Sequence, residues 1–190
     1  RLYTSTEDDL QRRLEQLSLL ENIAQQITGA LDLNQLITHV LQAAISATQA
    51  DVATLGLLTE GNDFWFIVRE RDELGIWRQS YLTSTREQGT SGRVARTGQS
   101  ALIADNRLDS DYVTPSGARE YLSSLVVPLR KEDLIVGVLN VESTIVDFFT
   151  PEQLSFLHNL AGHAVISIDN ARLLQERQQE IETLTRLREL

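Results

Sequence analysis

The sequence predicts an α+β fold in which a six-stranded antiparallel sheet carries helices on one face. Two observations predict this fold. Six segments have strand patterning, and short turn-forming sequences join neighbouring segments in the manner of hairpins. Helical periodicity is concentrated at the two ends of the chain. Helices from both ends would cover one face of the sheet, which leaves the other face free for a cavity.

The strands are predicted from runs of β-branched, aromatic and other apolar residues between turn signals. They cover residues 52–59, 64–71, 75–83, 101–105, 121–130 and 133–143. A short helix, GRVART, separates the third strand from the fourth, and Gly98 follows it at the position where a left-handed residue ends a helix. We expect the hydroxyl of Thr90 or Ser91 to cap this helix at its start.

Longer helices are predicted at the two ends of the globular part and beyond it. Residues 33–49 have a buried face with Leu36, Val40 and Ala44. The predicted domains are an N-terminal signalling helix (1–31), a globular domain (32–171) and a C-terminal coiled-coil helix (172–190). Both flanking segments have narrow apolar stripes at heptad-like spacing, which favours pairing with a partner helix over a solvated tail.

Composition narrows the functional classes. The net charge is −10 and the pI is near 4.7, so we expect neither nucleic acid nor an anionic membrane surface as a partner. No apolar run has the length of a membrane span. The chain has no cysteine, which favours a reducing, cytoplasmic setting. It begins at Arg1 and has no methionine, so we expect a piece of a longer protein.

The segment EQGTSGRVARTGQSALIADN has three glycines around the short helix, which invites comparison with phosphate-binding loops. It has neither the P-loop pattern nor the dinucleotide-binding pattern. The glycines are interpreted as residues that allow the turns at the start and the end of the helix. If a ligand contacts this segment, we expect it at the Asp105 end and not at the glycines.

Three segments, GTSGRVARTGQSALIADN, YLSSLVVPLRKEDLIVGVLNVES and FFTPEQLSFLHNLAGHAVISIDNARL, resemble a GAF domain, the sensory module of kinases, cyclases, phosphodiesterases and transcription regulators. The resemblance extends from about residue 32 to residue 174. It implies a GAF/PAS-like fold with a six-stranded antiparallel sheet between a helical layer and a ligand-sized pocket. It also implies that the flanking helices pair with those of a second protomer.

The resemblance implies where a ligand would lie: over the sheet, beneath the segment between the fourth and fifth strands. In this chain, that segment supplies both hydrogen-bond donors and acceptors. The predicted site residues are Asp105, Asp109, Tyr112, Arg119 and Ser123. The identity of the ligand is left open, and an empty pocket that serves only dimer signalling is an equal alternative.

Several chemistries known in this family are not expected here. Cyclic-nucleotide-binding members have Asn-Lys, then Phe, three residues and Asp-Glu. Here Asn140 and Phe149 match, but Val141 replaces the lysine and Gln153 begins the pair that replaces the acidic residues. Covalent bilin attachment and the GAF-type methionine sulfoxide reductase reaction both use cysteine, which this chain lacks.

No catalytic or metal-binding pattern is present in the sequence. His39, His158 and His163 lack the spacing and the carboxylate partners of a metal site. Asp109 and its acidic neighbours in the loop are interpreted as caps and turn formers. We therefore expect no enzyme and no metal; a haem iron held by a single histidine and an enzyme that uses the acidic loop stay alternatives.

The sequence instead favours a regulatory small-molecule sensor from a multidomain signal-transduction protein of the histidine kinase, cyclase or phosphodiesterase type. It would be a homodimer through its N- and C-terminal helices, and its partner would be an output domain of the same polypeptide. The alternative is a ligand-free module that acts only in dimerisation and signal relay.

Overall fold

The computed structural model describes residues 33–72, 74–114 and 119–188. The predicted N-terminal helix, 1–31, lies outside these residues. The described helices and strands are α1 (Leu33–Thr48), β1 (Val52–Leu58), β2 (Asp63–Arg71), β3 (Trp77–Thr85), α2 (Gly89–Thr97), β4 (Ala101–Ile103), β5 (Ser123–Lys131), β6 (Leu134–Ser143) and α3 (Pro151–Arg188). A single 3₁₀ turn, Asn106–Leu108, follows β4.

The six strands form one sheet in the order β3-β2-β1-β6-β5-β4, and every neighbouring pair is antiparallel. The predicted six-stranded antiparallel sheet is therefore confirmed. The β1–β2 and β5–β6 pairs are hairpins, and Asn62 and Glu132 in their turns have positive φ angles of 67° and 52°. Asparagine tolerates this left-handed conformation better than most residues, which agrees with its place in the turn.

β3 begins two residues later than the sequence pattern predicts, because a turn occupies its expected start. The carboxylate of Asp72 accepts backbone hydrogen bonds from Leu74 (3.0 Å) and Ile76 (2.9 Å). Gly75 within this turn has a φ of 78°. These bonds hold residues 74–76 out of the sheet ladder, so β3 begins at Trp77.

α1 and α3 cover one face of the sheet. α1 buries residues at steps of three and four, among them Leu36, Val40 and Ala44, and α3 does the same with Leu157 and Leu160. They pack on alternate residues of the strands in one hydrophobic core. Each large aliphatic side chain fully buried in this way stabilises the fold by about 1.5–3 kcal/mol.

The start of α3 is tied to the end of α1. Gln153 and Thr150 form a reciprocal capping box, with bonds of 3.0 Å from Thr150 N to Gln153 Oε1 and 3.3 Å from Gln153 N to Thr150 Oγ1. The Nε2 of Gln153 also donates to the carbonyl oxygen of Thr48, at 3.2 Å. Gln153, the residue that departs from the cyclic-nucleotide pattern, thus has a structural role here.

α3 continues without a break beyond the core, to Arg188. In this later part, Leu173, Leu174 and Ile181 are more than half exposed. The coiled coil over residues 172–190 stays a prediction. None of the described helices combines the length and hydropathy that crossing a membrane requires.

α2 lies on the opposite face, where Val94 and Ala95 are buried against Val126 and Val138. Gly98 ends the helix in the left-handed conformation (φ 69°), and its N–H donates to the carbonyl oxygen of Val94 at 2.8 Å, as predicted.

The predicted cap at the start of α2 is wrong. The helix begins at Gly89, after Gln88, whose side chain makes no capping bond. Thr90 and Ser91 therefore lie inside the first turn. The hydroxyl of Thr90 is directed instead to the carboxylate of Asp109, at 3.3 Å.

The sheet presents two different surfaces because side chains alternate along each strand. On β5, Leu125 and Val127 face the helical core, while Ser124 and Val126 face the side of α2. On β1 the α2 side includes Gly56, where a Cβ atom would lie 2.3 Å from the ring of Phe66. Glycine therefore allows that ring to lie across β1, at the floor of a cavity on the α2 side of the sheet.

Candidate ligand-binding cavity

A cavity of about 350 Å³ lies on the α2 side of the sheet. This volume falls within the range of small-molecule sites, about 300–1,000 Å³. The strands contribute alternate residues to its wall, and the start of α2 and the segment before β5 contribute the rest. The lining residues are Val52, Thr54, Phe66, Val68, Glu70, Ser80, Leu82, Ser84, Gln88, Gly89, Thr90, Ser91, Tyr112, Val113, Arg119, Tyr121, Ser124, Val126, Asn140 and Glu142.

Strand register places two carboxylates on the wall of this cavity. Val52 of β1 is paired with Glu70 of β2 on one side and with Glu142 of β6 on the other. Neighbouring strands are about 4.8 Å apart, so the backbones of the two glutamates are separated by about 10 Å. Their side chains lie on the same face of the sheet, and each interacts with a tyrosine of the segment that covers the cavity.

Glu142 lies at the centre of a hydrogen-bond cluster. Its carboxylate accepts bonds from the hydroxyls of Tyr112 and Ser124 and from the amide of Asn140. Burial raises the pKa of Glu142 to about 7, and the nearby charge of Glu70 adds to the rise, while the hydrogen bonds oppose it. At neutral pH this carboxyl group is therefore divided between its protonated and ionised forms.

Glu70 accepts a hydrogen bond from the hydroxyl of Tyr121. Burial raises the pKa of that tyrosine, and the bond to Glu70 and the charge of Glu142 raise it further. The pKa of Tyr112 is raised in the same way, first by burial and then by the charge of Glu142. Both tyrosines therefore stay protonated and act as donors to the carboxylates.

The segment that covers the cavity, residues 106–114 and 119–122, is fixed at its two ends. The buried amide of Asn106 donates to the carbonyl oxygen of Tyr121 (3.0 Å) and accepts from the hydroxyl of Ser124 (2.5 Å). Near its middle, Arg93 of α2 pairs with both Asp109 and Asp111 at 2.7 Å. α2 and β5 therefore position this cover over the sheet.

The structure brings two of the five predicted site residues to the cavity. Tyr112 and Arg119 line it. The side chain of Asp105 caps the 3₁₀ turn through the N–H of Arg107 (3.1 Å), and Asp109 pairs with Arg93. The hydroxyl of Ser123 donates to the carbonyl oxygen of Ile145 at 2.6 Å. Asp105, Asp109 and Ser123 lie outside the lining, and the first two are the caps and turn formers that the sequence predicts.

Glu70, Glu142, Tyr121 and the start of α2 were not among the predicted site residues. A signal for Glu142 was available, because it stands in an apolar strand at a position that alternates with the core residues Leu139 and Val141. Glu70 stands between Arg69 and Arg71, so the sequence has no such signal there. The cavity is lined by residues 88–91 and not by Asp105, so it lies at the glycine end of this segment.

The histidines lie apart from this cavity. His158 shares a hydrogen bond with the hydroxyl of Ser100 at 2.7 Å, and burial lowers its pKa. His39 and His163 are exposed. Within the described ranges, no three His, Asp or Glu side chains are close enough together to hold a metal ion.

Comparison with known proteins agrees with this architecture. The GAF domain family model matches residues 30–169, so the chain belongs to the GAF domain family. No curated protein sequence matches the chain significantly.

Solved structures share the fold at low sequence identity. The GAF domain of a phosphoenolpyruvate-protein phosphotransferase from Acinetobacter is 20% identical, with a TM-score of 0.72 over 84% of this chain and 95% of that one. The corresponding domain from Coxiella burnetii is 21% identical, with a TM-score of 0.74 over 84% and 96%. The free methionine-R-sulfoxide reductase from Neisseria meningitidis, solved with its substrate, is 15% identical, with a TM-score of 0.67 over 83% and 90%. The fold thus occurs in GAF domains of larger proteins and in enzymes.

Proposed function

We propose that this GAF domain is a regulatory module that binds a small molecule in the cavity and passes the signal to an output domain of the same polypeptide. The observation that supports it is the cavity itself, about 350 Å³ in volume with apolar and hydrogen-bonding residues in its wall. In this proposal the module is a cytoplasmic, non-catalytic homodimer in a protein of the histidine kinase, cyclase or phosphodiesterase type. The flanking helices, 1–31 and 172–190, join the protomers.

A physical route leads from the cavity to α3. Ser124 and Val126 of β5 line the cavity, while Leu125 and Val127, which alternate with them, pack in the core that α3 shares. Lys131 at the end of β5 also pairs with Asp169 of α3, at 2.7 Å. A ligand that moves β5 would thus change the packing of α3, provided that it binds two arrangements of the domain with different affinities.

A cavity-filling variant tests ligand binding. Leu82 lies on the edge strand β3 and lines the cavity, so Leu82→Trp should fill it with little strain on the core. Tyr81 points to the opposite face of the same strand, and Tyr81→Trp is the matched control. We expect at least one compound of a metabolite library to raise the melting temperature of the wild type and the control, but not of Leu82→Trp. If no compound separates the wild type from the filled variant, the cavity is not a ligand site.

Dimerisation is required both by this proposal and by its alternative, a ligand-free dimerisation module, and the exposed apolar residues of α3 support it. Leu174 and Ile181 are seven residues apart and more than half exposed, so they lie along one stripe. The double substitution Leu174→Glu with Ile181→Glu should turn a dimer into a monomer in sedimentation experiments, while Arg177→Glu should not. A wild-type dimer that survives the double substitution would show that this stripe does not hold it together.

A further inference from the structure

We propose that the cavity binds a small organic cation, an amine with an apolar portion, whose ammonium group lies between the carboxylates of Glu70 and Glu142. This inference rests on the proposed sensory function, because it names the chemical class of the ligand. Two observations support the proposal: the charges of the cavity wall and the separation of polar from apolar residues along the strands.

The charged groups of the wall are mainly acidic. Among the described lining residues, Glu70 and Glu142 are the acidic side chains, both half-buried, and Arg119 is the only cationic side chain. Arg119 is exposed, and its charge acts on Tyr121 and Asp51. Two carboxylates in a partly buried site repel each other, and a cation between them replaces that repulsion with two attractive interactions.

Hydrogen-bonding capacity also fits an ammonium group, which has three donors and no acceptor. The two carboxylates provide acceptors on either side of Val52. A further acceptor, the Oδ1 of Asn140, is buried and has no hydrogen-bond partner among the described residues. The amide of this asparagine donates to Glu142, so the orphan oxygen lies beside the same carboxylate.

The remaining wall suits an apolar group of modest size. Phe66, Val68, Leu82 and Val126 contribute side chains to the same cavity. In the sheet register, Val68 follows Glu70 by one step along the face, and Phe66 follows Val68. An amine with an aromatic ring two carbons away would therefore place its ring over these residues when its nitrogen lies at the glutamates.

Binding of a cation should be coupled to proton release. The groups that face Glu142 are Glu70 from β2, Tyr112 and Tyr121 from the cover, Ser124 from β5 and Asn140 on its own strand. Arg119 of the cover lies in the same wall, and its charge acts on Tyr121. None of the groups that bond to Glu142 is cationic, so a bound ammonium would supply the positive charge that favours the ionised form of Glu142. The affinity for an amine should accordingly rise as the pH increases from 6 to 8, a range in which an alkylamine stays protonated.

The test uses three probes of similar size that differ in charge: phenethylamine, 3-phenylpropanol and 3-phenylpropionate. The anion is included because the start of α2 also lines the cavity, and the N-terminus of a helix attracts negative charge. Calorimetry on the full chain at pH 8 should give at least tenfold tighter binding of the amine than of the alcohol, and the weakest binding for the carboxylate.

Variants of the two glutamates test whether these residues bind the amine. Glu70→Gln and Glu142→Gln should each weaken amine binding about tenfold or more and leave the alcohol unchanged, while Glu60→Gln, in the exposed β1–β2 turn, should change neither. Glu142→Gln should also remove the pH dependence. If that variant fails to fold, Glu70→Gln and the pH profile of the wild type still decide the matter.

The outcomes separate this inference from the proposed function. If the alcohol or the carboxylate binds as tightly as the amine, the inference is overturned, and the sensory function stands on that binding. If amine binding is the tightest but unaffected by both glutamate substitutions, the inference is also overturned. If none of the probes binds, the inference fails, and the comparison of Leu82→Trp with the wild type still decides whether the cavity takes any ligand.

Discussion

Arg93 of α2 forms a two-point ion pair with Asp109 in the segment that covers the cavity. Nη1 lies 2.8 Å from Oδ1, and Nη2 lies 2.7 Å from Oδ2. The carboxylate of Asp109 is only 8% exposed. The hydrogen bonds from Arg93 hold the pKa of Asp109 below its usual value, although burial acts in the opposite direction. The contact joins the helix to the cover, so α2 and the cover should move together.

Arg93→Gln should loosen the cover and lower the free energy of unfolding by about 1–3 kcal/mol, between the values for exposed and buried ion pairs. The substitution leaves a mostly buried carboxylate without its partner. Hydrogen exchange should accelerate at the N–H groups of Leu108, Asp109 and Tyr112, which are bonded within the cover. Arg78→Gln removes an exposed pair with Asp72 and should have a smaller effect, because solvent screens that pair. Equal effects of the two substitutions would show that the Arg93 pair has no special part in holding the cover.

Glu142 should make the domain less stable as the pH rises. Its pKa is about 7 in the folded state and near 4.5 when it is exposed, so the folded state binds the proton more tightly. The stability from this proton is complete below pH 4.5 and is lost as the pH rises through 7, by up to about 3 kcal/mol. Denaturant unfolding at several pH values should show this loss in the wild type and a flatter profile in Glu142→Gln. If stability changes with pH in the same way in both proteins, Glu142 is not the group that causes the loss.

Asp51 contributes stability with the opposite pH dependence. Its carboxylate accepts bonds from the backbone N–H and the hydroxyl of Thr144, both at 2.9 Å. Burial alone would raise the pKa of Asp51, but these bonds, the charge of Arg119 and a hydrogen bond from Arg71 outweigh it, and the pKa is lowered.

Asp51→Asn should therefore destabilise the domain at pH 7 by about 1–3 kcal/mol. The difference from the wild type should shrink as the pH falls below about 4, because the native aspartate then becomes protonated. Asp63→Asn, an exposed position at the start of β2, is the control for unfolding measurements. A difference that stays constant down to pH 2 would mean that the charge of Asp51 is not what stabilises the contact.

Substitution of glycine by alanine should lower the free energy of unfolding at Gly98 and raise it at Gly162. Gly98 has a φ of 69°, and an added Cβ would lie 2.6 Å from the guanidinium of Arg130, so Gly98→Ala should cost about 1–2 kcal/mol. Gly162 lies within α3 with open space around it, so Gly162→Ala should stabilise the domain by about 0.5–1 kcal/mol. Melting temperatures should move down and up, respectively. A loss of stability at both positions would refute the distinction.

The fold was predictable because it depends on periodicity. Leu36, Val40 and Ala44 recur at helical spacing, and Leu125 and Val127 alternate with Ser124 and Val126, so the helices, strands and core face follow from the order of residue types. The cap of α2 and the start of β3 differ from the prediction because each depends on single side-chain hydrogen bonds, which periodicity does not show.

The residues that line the cavity were harder to predict from the sequence. Glu70 and Glu142 are 72 positions apart, and they meet only because β2 and β6 both pair with β1. Tyr112 and Arg119 were found because one continuous segment contains both. Asp105 and Ser123 were included for the same reason, although their side chains bond elsewhere.

The alternation of side chains across the sheet also affects how such a domain can diverge. Residues such as Leu125 and Leu139 fix the packing of the helices, while Ser124 and Asn140, directly beside them in the chain, contribute only to the other surface. Substitutions can therefore exchange the chemistry of the cavity wall one residue at a time without disturbing the helical layer. One lineage can thus change the polarity and shape of this cavity while its helices keep the same packing.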